Sequence, residues 1–261
     1  MNNYLKIWKI TALNALQETF INRATNLLFF LGKIIRLTMS LLVLWLIKGQ
    51  LSSFLTYTPN EIVIFFLTYQ FIDNLSQVIY RGVYLFSSLV RSGEFDFLLI
   101  KPISPLFRSL TGRPDVNDAI FIIPSTMISV YLVSQLDLNI TLTSFLWYLL
   151  LLFNSLLIAT AMHILVLVIG VLTTEVDGVI WMYRDLTRMG QFPVNMYMEP
   201  LRTILFFLIP VGTMFTIPAQ VLINKPGQVS MVITLLIGLS SLIVSYSLWL
   251  WSLKKYTSTG S

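Results

Sequence analysis

The chain has 261 residues, 56% hydrophobic and 11% charged, with 17 Lys and Arg against 12 Asp and Glu, a formal charge of +5. Soluble domains carry about 25% charged and about 45–50% apolar residues, so a soluble fold of this length cannot hide so much apolar surface. With no cysteine and a single histidine, His163, the chain lacks a disulfide framework, a thiolate metal site and the usual multi-histidine zinc sets, and neither a metal nor a cofactor is expected.

Residues 1–26 carry Lys6, Lys9, Glu18 and Arg23 without a compact apolar core, so no cleavable signal peptide is expected. Tyr4, Leu5, Trp8, Ala12, Ala15 and Leu16 form an incomplete helical stripe, spoiled by Ile7 and Ile10. The expectation is a helix lying flat on the inner leaflet with Trp8 at headgroup depth. An ordinary cytosolic lead-in is the alternative.

A first span is expected from about Lys33 to Ile47, closed by Lys48-Gly49-Gln50. Thr58-Pro-Asn-Glu61 has the form of a capping box with proline at the first helical position, and starts a second helix toward Arg81. Residues 117–136 and 142–173 read as third and fourth spans joined by the turn Leu136-Asp-Leu-Asn-Ile140. Residues 174–200 are polar and amphipathic. A fifth apolar run, 201–223, contains Pro210 and Pro218 as expected helix breaks, and Asn224-Lys-Pro-Gly227 is a turn. The sixth span, 229–252, ends on Trp249, Trp251 and Lys254-Lys255, an aromatic belt followed by basic anchors. The clean runs approach the roughly 20 residues that a bilayer requires.

With both termini inside, all of the 17 Lys and Arg except Lys48 and Lys225 fall on or near the inner side, as topology demands. Those charges report orientation and anionic lipid, and no nucleic-acid partner is expected. The fold class is therefore all-α: one polytopic membrane domain over 1–261 with six transmembrane helices. Its expected parts include an N-terminal interfacial helix (1–26), a cytoplasmic region (81–116), a cytoplasmic or interfacial segment (174–200) and an outer re-entrant segment (210–228).

No catalytic signature is present. The only Gly-Lys pair, Gly32-Lys33, is followed by Ile34 and lacks the earlier glycine of a phosphate-binding loop, and neither G-x-S-x-G nor His-Glu-x-x-His occurs. His163 reads as a packing residue, and the chain is not expected to be an enzyme. Two charges fall at membrane depth. At about 1.5 Å per residue, Arg36 and Asp73 lie roughly 18–21 Å below the outer surface, so an Arg36–Asp73 pair is expected, with Lys33 the alternative partner. It serves either as a structural clamp or as part of a substrate path.

The segment from Arg91 to Pro105 is a charged, Gly- and Pro-punctuated island in this apolar chain. Residues 82–89 can be helical and Gly93 can terminate that helix, while Glu94 and Asp96 alternate with Phe95 and Phe97. Exposed phenylalanines beside carboxylates are costly unless a partner covers them. The plain alternative is a loop resting on the chain's own surface.

Gly93-Glu-Phe-Asp-Phe-Leu-Leu-Ile-Lys-Pro-Ile-Ser-Pro105 resembles the G-x-hydrophobic-D-x-L-L-x-(R/K)-P-x-(S/N)-P signature of one group of type-2 ATP-binding-cassette (ABC-2) exporter permeases. Phe192-Pro-Val-Asn-Met-Tyr197, with Pro210 and Pro218-Ala219, is similar to that family's second pattern. The resemblance covers nearly the whole chain. It implies a permease subunit in a prokaryotic cytoplasmic membrane, paired with a second copy or a sister permease and driven by two separate ATPase subunits. It also implies a coupling helix between the second and third spans, with Val83, Phe86, Leu89, Arg91, Gly93, Glu94, Phe95, Asp96 and Phe97 as the ATPase contact. The expected cargo is amphiphilic or hydrophobic. An ATP-independent carrier or channel is the alternative, and an intramembrane enzyme a more remote one.

Overall fold

The computed structural model describes residues 2–21, 23–51, 57–136, 138–225 and 229–257. The described residues are helical throughout, without a strand. Helix α1 (Asn2–Ile21) leads into α2 (Arg23–Leu51) and α3 (Pro59–Tyr80). A 3-10 turn (Arg81–Leu85) and three short helices follow: α4 (Phe86–Arg91), α5 (Glu94–Ile100) and α6 (Pro105–Thr111). Then come α7 (Val116–Ser134), α8 (Leu142–Thr173) and α9 (Asp177–Arg188). A bent pair, α10 (Leu201–Leu208) and α11 (Gly212–Leu222), precedes α12 (Met231–Leu253). Among the described residues five helices are long and apolar enough to cross a membrane, six if the bent pair counts as one span. The protein is an all-α polytopic membrane protein.

Helix α3 is the centre. Its span is 72% buried, against 11% for α2 and 17% for both α7 and α12. The capping box at its start is realised: Thr58 N donates to Glu61 Oε2 at 2.7 Å, and Glu61 N donates to Thr58 Oγ1 at 3.3 Å. Glu61 also pairs with Lys225 at 2.8 Å, which ties this end of α3 to the chain beyond α11. Tyr57 adds a second tie, accepting a hydrogen bond from Gln220 at 2.6 Å.

The bent pair turns by 74°. Pro210 sits at the break, where its missing N–H ends the first helix. Pro218 does not break the chain, contrary to expectation: it lies within α11, and the Met214 carbonyl four residues earlier, which its missing N–H leaves free, accepts from Ser155 instead. The backbone here is π-type at Ile204–Leu208 and Gly212–Thr216, and side chains serve its carbonyls. Thr213 Oγ1 donates to Phe206 O at 2.7 Å and Ser155 Oγ to Met214 O at 2.6 Å. Irregular backbone at membrane depth survives because protein surrounds it, and Ile217–Leu222 are buried without exception.

Helices α8 and α12 pack closely because Gly238 lets Asn154 approach, and Asn154 Nδ2 donates to Thr234 O at 2.9 Å. The first span begins well before Lys33, since nothing between Arg23 and Lys33 breaks the helix, and its apolar stretch ends at Leu46, near the expected Ile47, while the helix continues to Leu51. Leu27, Leu28 and Phe29 are exposed along this added length. Asp137, Pro226 and Gly227, parts of two expected turns, lie outside the described residues.

Any side chain at position 238 must push against Asn154. Gly238→Ala should therefore lower the thermal midpoint in detergent by an overpacking cost of about 1–3 kcal/mol. Adding Asn154→Ala should recover part of it. An unchanged midpoint for Gly238→Ala would show that the two helices do not meet here.

Candidate functional site

Two features stand out at one end of α3: the island, and a charged vestibule beside it. The island forms because Gly93 adopts φ +73°, a left-handed turn that a side chain would strain, so α4 can fold back into α5. Lys101 is extended before Pro102, and Ser104 caps α6, accepting from Phe107 N at 3.3 Å. The 3-10 turn lies against the end of α6 because Gly82 has no side chain; a Cβ there would be 2.5 Å from Ser109 O.

Residues two apart on a helix point to nearly opposite sides, and this decides the island's chemistry. Phe95 is fully buried while Phe97 is 61% exposed. Phe95 meets Phe86 at 5.0 Å between ring centroids, Trp249 at 6.3 Å and Tyr256 at 5.2 Å. Phe86 in turn fits against Gly170 of α8, where a Cβ would come within 2.9 Å of its ring. This aromatic knot bolts the island to α8 and α12. Of the expected ATPase contacts, Val83, Phe86 and Phe95 are therefore corrected. They are buried inside the chain, because covering their apolar surface internally removes it from water. Leu89, Gly93 and Asp96 are half-buried, and Arg91, Glu94 and Phe97 face outward, joined by Leu99 and Ile100.

Further ties hold the island. Ser87 Oγ accepts from Val176 N at 2.8 Å, and Arg91 pairs with Asp177 at 3.8 Å across to the start of α9. Tyr256 packs on α5, where burial first and the Asp96 carboxylate second push its hydroxyl up to about 12. The island's inner face rests on the chain's own helices, as the alternative of a loop lying on its own surface has it, and its outer face is exposed. Helix α1 lies alongside α6, with the rings of Tyr4 and Phe107 5.1 Å apart and Tyr4 Oη accepting from Ser104 N at 3.3 Å.

The vestibule is a cavity of about 690 Å³ between α1, α2, α3, α7 and α9. Four ion pairs cross or border it. Arg36 reaches Asp73 at 3.8 Å, as the sequence suggests. Lys33 pairs with Asp118 of α7 instead of with Asp73. Arg81 meets Asp115 at 3.4 Å, and Arg113 holds Glu18 of α1. Asn117 Nδ2 also donates to Asn26 Oδ1 at 2.8 Å. Thus charge adds to a narrow apolar contact in holding α2, whose span is only 11% buried: Leu37 and Leu44 are buried in a cluster with Phe65 and Phe121, and the Phe30 ring meets that of Phe121 at 6.0 Å. Arg184 donates to Gln77 Oε1 and Tyr84 Oη, each at 3.5 Å.

The sequence reasoning missed Asp118, Asp115, Arg81 and Arg184. The available signal was Lys33 itself, a cation at membrane depth that needs a carboxylate on a neighbouring helix. His163 is packed as expected: fully buried, its Nδ1 2.8 Å from Ala159 O and its ring 4.7 Å from those of Tyr80 and Tyr183.

A family model described as "ABC-2 family transporter protein" matches residues 34–260. No curated protein matches the chain.

The buried and exposed phenylalanines should behave oppositely. Phe95→Ala should cost about 3–5 kcal/mol of stability, whereas Phe97→Ala should stay within about 0.5 kcal/mol of the parent. Equal thermal midpoints for the two variants would contradict the aromatic knot. Asp118→Ala, which strands Lys33, should cost about 3–5 kcal/mol, and Lys33→Met combined with Asp118→Leu should restore most of it. A double variant no better than Asp118→Ala would mean that the pair is not what holds α2.

Proposed function

Since the chain belongs to the ABC-2 transporter family, as the match over residues 34–260 establishes, we propose that it is the permease of an ATP-driven exporter. The complex would hold a second permease, either another copy or a sister chain, and two cytoplasmic ATPase subunits. The chain itself carries no phosphate-binding loop, so ATP is hydrolysed by those subunits.

The observation that carries this reading is the two-faced island. Its inner face is locked by Phe95 into Phe86 and Trp249. Its outer face presents Arg91, Glu94, Phe97, Leu99 and Ile100, an apolar patch flanked by charge that one partner could cover. A groove of about 440 Å³ runs beside it, with Glu94, Phe97, Lys101 and Arg108 in its walls. A push on α5 cannot be absorbed locally, because a close-packed aromatic knot does not deform continuously. It passes to α8 and α12, and through Arg91–Asp177 to α9. Alternating access follows if those helices face the second permease.

Orientation rests on the basic residues: the island, Arg108, Arg113, Lys254 and Lys255 belong on the cytoplasmic side, with both termini, in the cytoplasmic membrane of a prokaryote. Helix α1, lying against α6, would be the interfacial helix. Cargo moving along such apolar helices would be amphiphilic or hydrophobic. The ion pairs Arg36–Asp73 and Lys33–Asp118 favour a second reading, since an ATP-independent carrier would use such groups.

The test is reconstitution of the chain in lipid vesicles with ATPase subunits encoded beside it. Glu94→Lys with Phe97→Ser should weaken stimulation of ATP hydrolysis by about tenfold or more, as loss of a central contact does, while leaving the thermal midpoint unchanged. Transport that persists without ATP and without ATPase subunits would establish the carrier instead.

A further inference from the structure

The vestibule has more positive charge than its own carboxylates use. Its walls carry Lys33, Arg36, Arg81, Arg113 and Arg184 against Glu18, Asp115 and Asp118, with Asp73 just beneath. Four of the five cations have a carboxylate partner. No carboxylate among the described residues lies within ion-pair distance of Arg184, whose guanidinium bonds the neutral Gln77 and Tyr84 at 3.5 Å and feels the Asp73 charge from farther off. Two of the other pairs are loose. Arg36 and Arg81 spend one edge each on contacts of 3.8 and 3.4 Å, and their side chains remain 47% and 40% exposed. Each guanidinium has five N–H donors in a planar fork, so unengaged donors from three arginines face one cavity.

Position narrows what those donors could hold. Arg81 follows a helix that begins at Pro59, and at about 1.5 Å per residue this separation is roughly 33 Å, the thickness of a hydrocarbon core. Arg81 therefore stands at the membrane boundary opposite Pro59, the level of lipid phosphates. The cavity wall is amphipathic there. Phe29, Leu85 and Trp181 line it beside the arginines, and Trp181, 55% exposed, has the Arg184 guanidinium 5.8 Å from its ring centroid. At about 690 Å³ the space exceeds a single small ion.

We propose that this vestibule is a binding site for a phosphate-bearing anion, with Arg184 the principal ligand and Arg36 and Arg81 its neighbours. The fork geometry suits two oxygens of a phosphate, and a bound phosphate would give Arg184 the directly bonded counter-charge that Asp73 supplies only from a distance. The same chemistry is offered by a lipid headgroup and by a free phosphate. The assignment concerns binding and holds whether or not an ATPase drives the chain.

The test uses the full chain, delipidated in a neutral detergent and titrated calorimetrically. The probes are short-chain phosphatidylglycerol, short-chain phosphatidylcholine and inorganic phosphate. Phosphatidylglycerol binding that exceeds phosphatidylcholine binding by about tenfold or more, the worth of one charged hydrogen bond, is expected. Arg184→Gln should weaken it by a similar factor. Arg188→Gln, which removes an exposed arginine paired with Asp185 outside the cavity, should leave it unchanged. Arg184→Lys keeps the charge and loses the fork, so it should fold if Arg184→Gln does not, and still bind more weakly than the parent. Phosphatidylglycerol binding without phosphate binding supports a lipid headgroup. Arg184-dependent binding of inorganic phosphate with equal strength supports a free phosphate. Indifference between the two lipids with no phosphate binding, or isotherms unchanged by both Arg184 substitutions, would overturn the proposal.

Discussion

Inside a bilayer a buried polar group must find its partner within the protein, and α3 imposes that requirement on its neighbours. Glu61, Thr68, Gln70, Asp73, Asn74, Ser76 and Gln77 are all buried along one helix. Lys225 answers Glu61, Tyr148 on α8 faces Thr68 at 3.3 Å, Ser125 on α7 faces Asn74 at 3.3 Å, and Arg36 on α2 faces Asp73. Each partner comes from a different part of the chain. The polar side of α3 therefore decides which helices surround it, and the apolar outer faces of α2, α7 and α12 stay exposed.

Attachment by charge and attachment by packing divide the molecule into two mechanical parts. Helix α8 meets α12 where Gly238 admits Asn154 and meets α11 where Ser155 bonds the Met214 carbonyl, and the island is fastened to α8 and α12 by Phe86 and Phe95. Helix α2 adds Lys33–Asp118 and Arg36–Asp73 to a narrow apolar contact through Leu37 and Leu44, and α1 adds Glu18–Arg113 to its Tyr4–Phe107 ring contact. Packed rings resist sliding, while ion pairs beside a polar cavity can exchange partners without leaving apolar surface bare. A transporter needs both, a rigid element to carry force and a boundary at which helices can shift. The vestibule lies on that boundary.

Much of the fold was legible in the chain itself. The Thr58–Glu61 capping box, the fourth span at 142–173, the break at Pro210 and the Arg36–Asp73 pair all depend on residues close in sequence or on spacing along a helix. The island was recognisable as a departure from its surroundings, because charge, glycine and proline interrupt an apolar text. Its two faces were not separable, since Phe95 and Phe97 are the same residue type and only the position of Trp249 says which of them turns inward.

What the sequence alone determined is the class of molecule: its composition requires lipid and its apolar runs set the spans. Tertiary structure decided the rest. Lys33 chose Asp118 over Asp73, Pro218 settled inside a helix, and Arg184 arrived in the vestibule without a carboxylate. These outcomes turn on which side chains from distant parts of the chain become neighbours. That is fixed by satisfying buried polar groups and filling space across helices, a condition no local stretch of sequence can express.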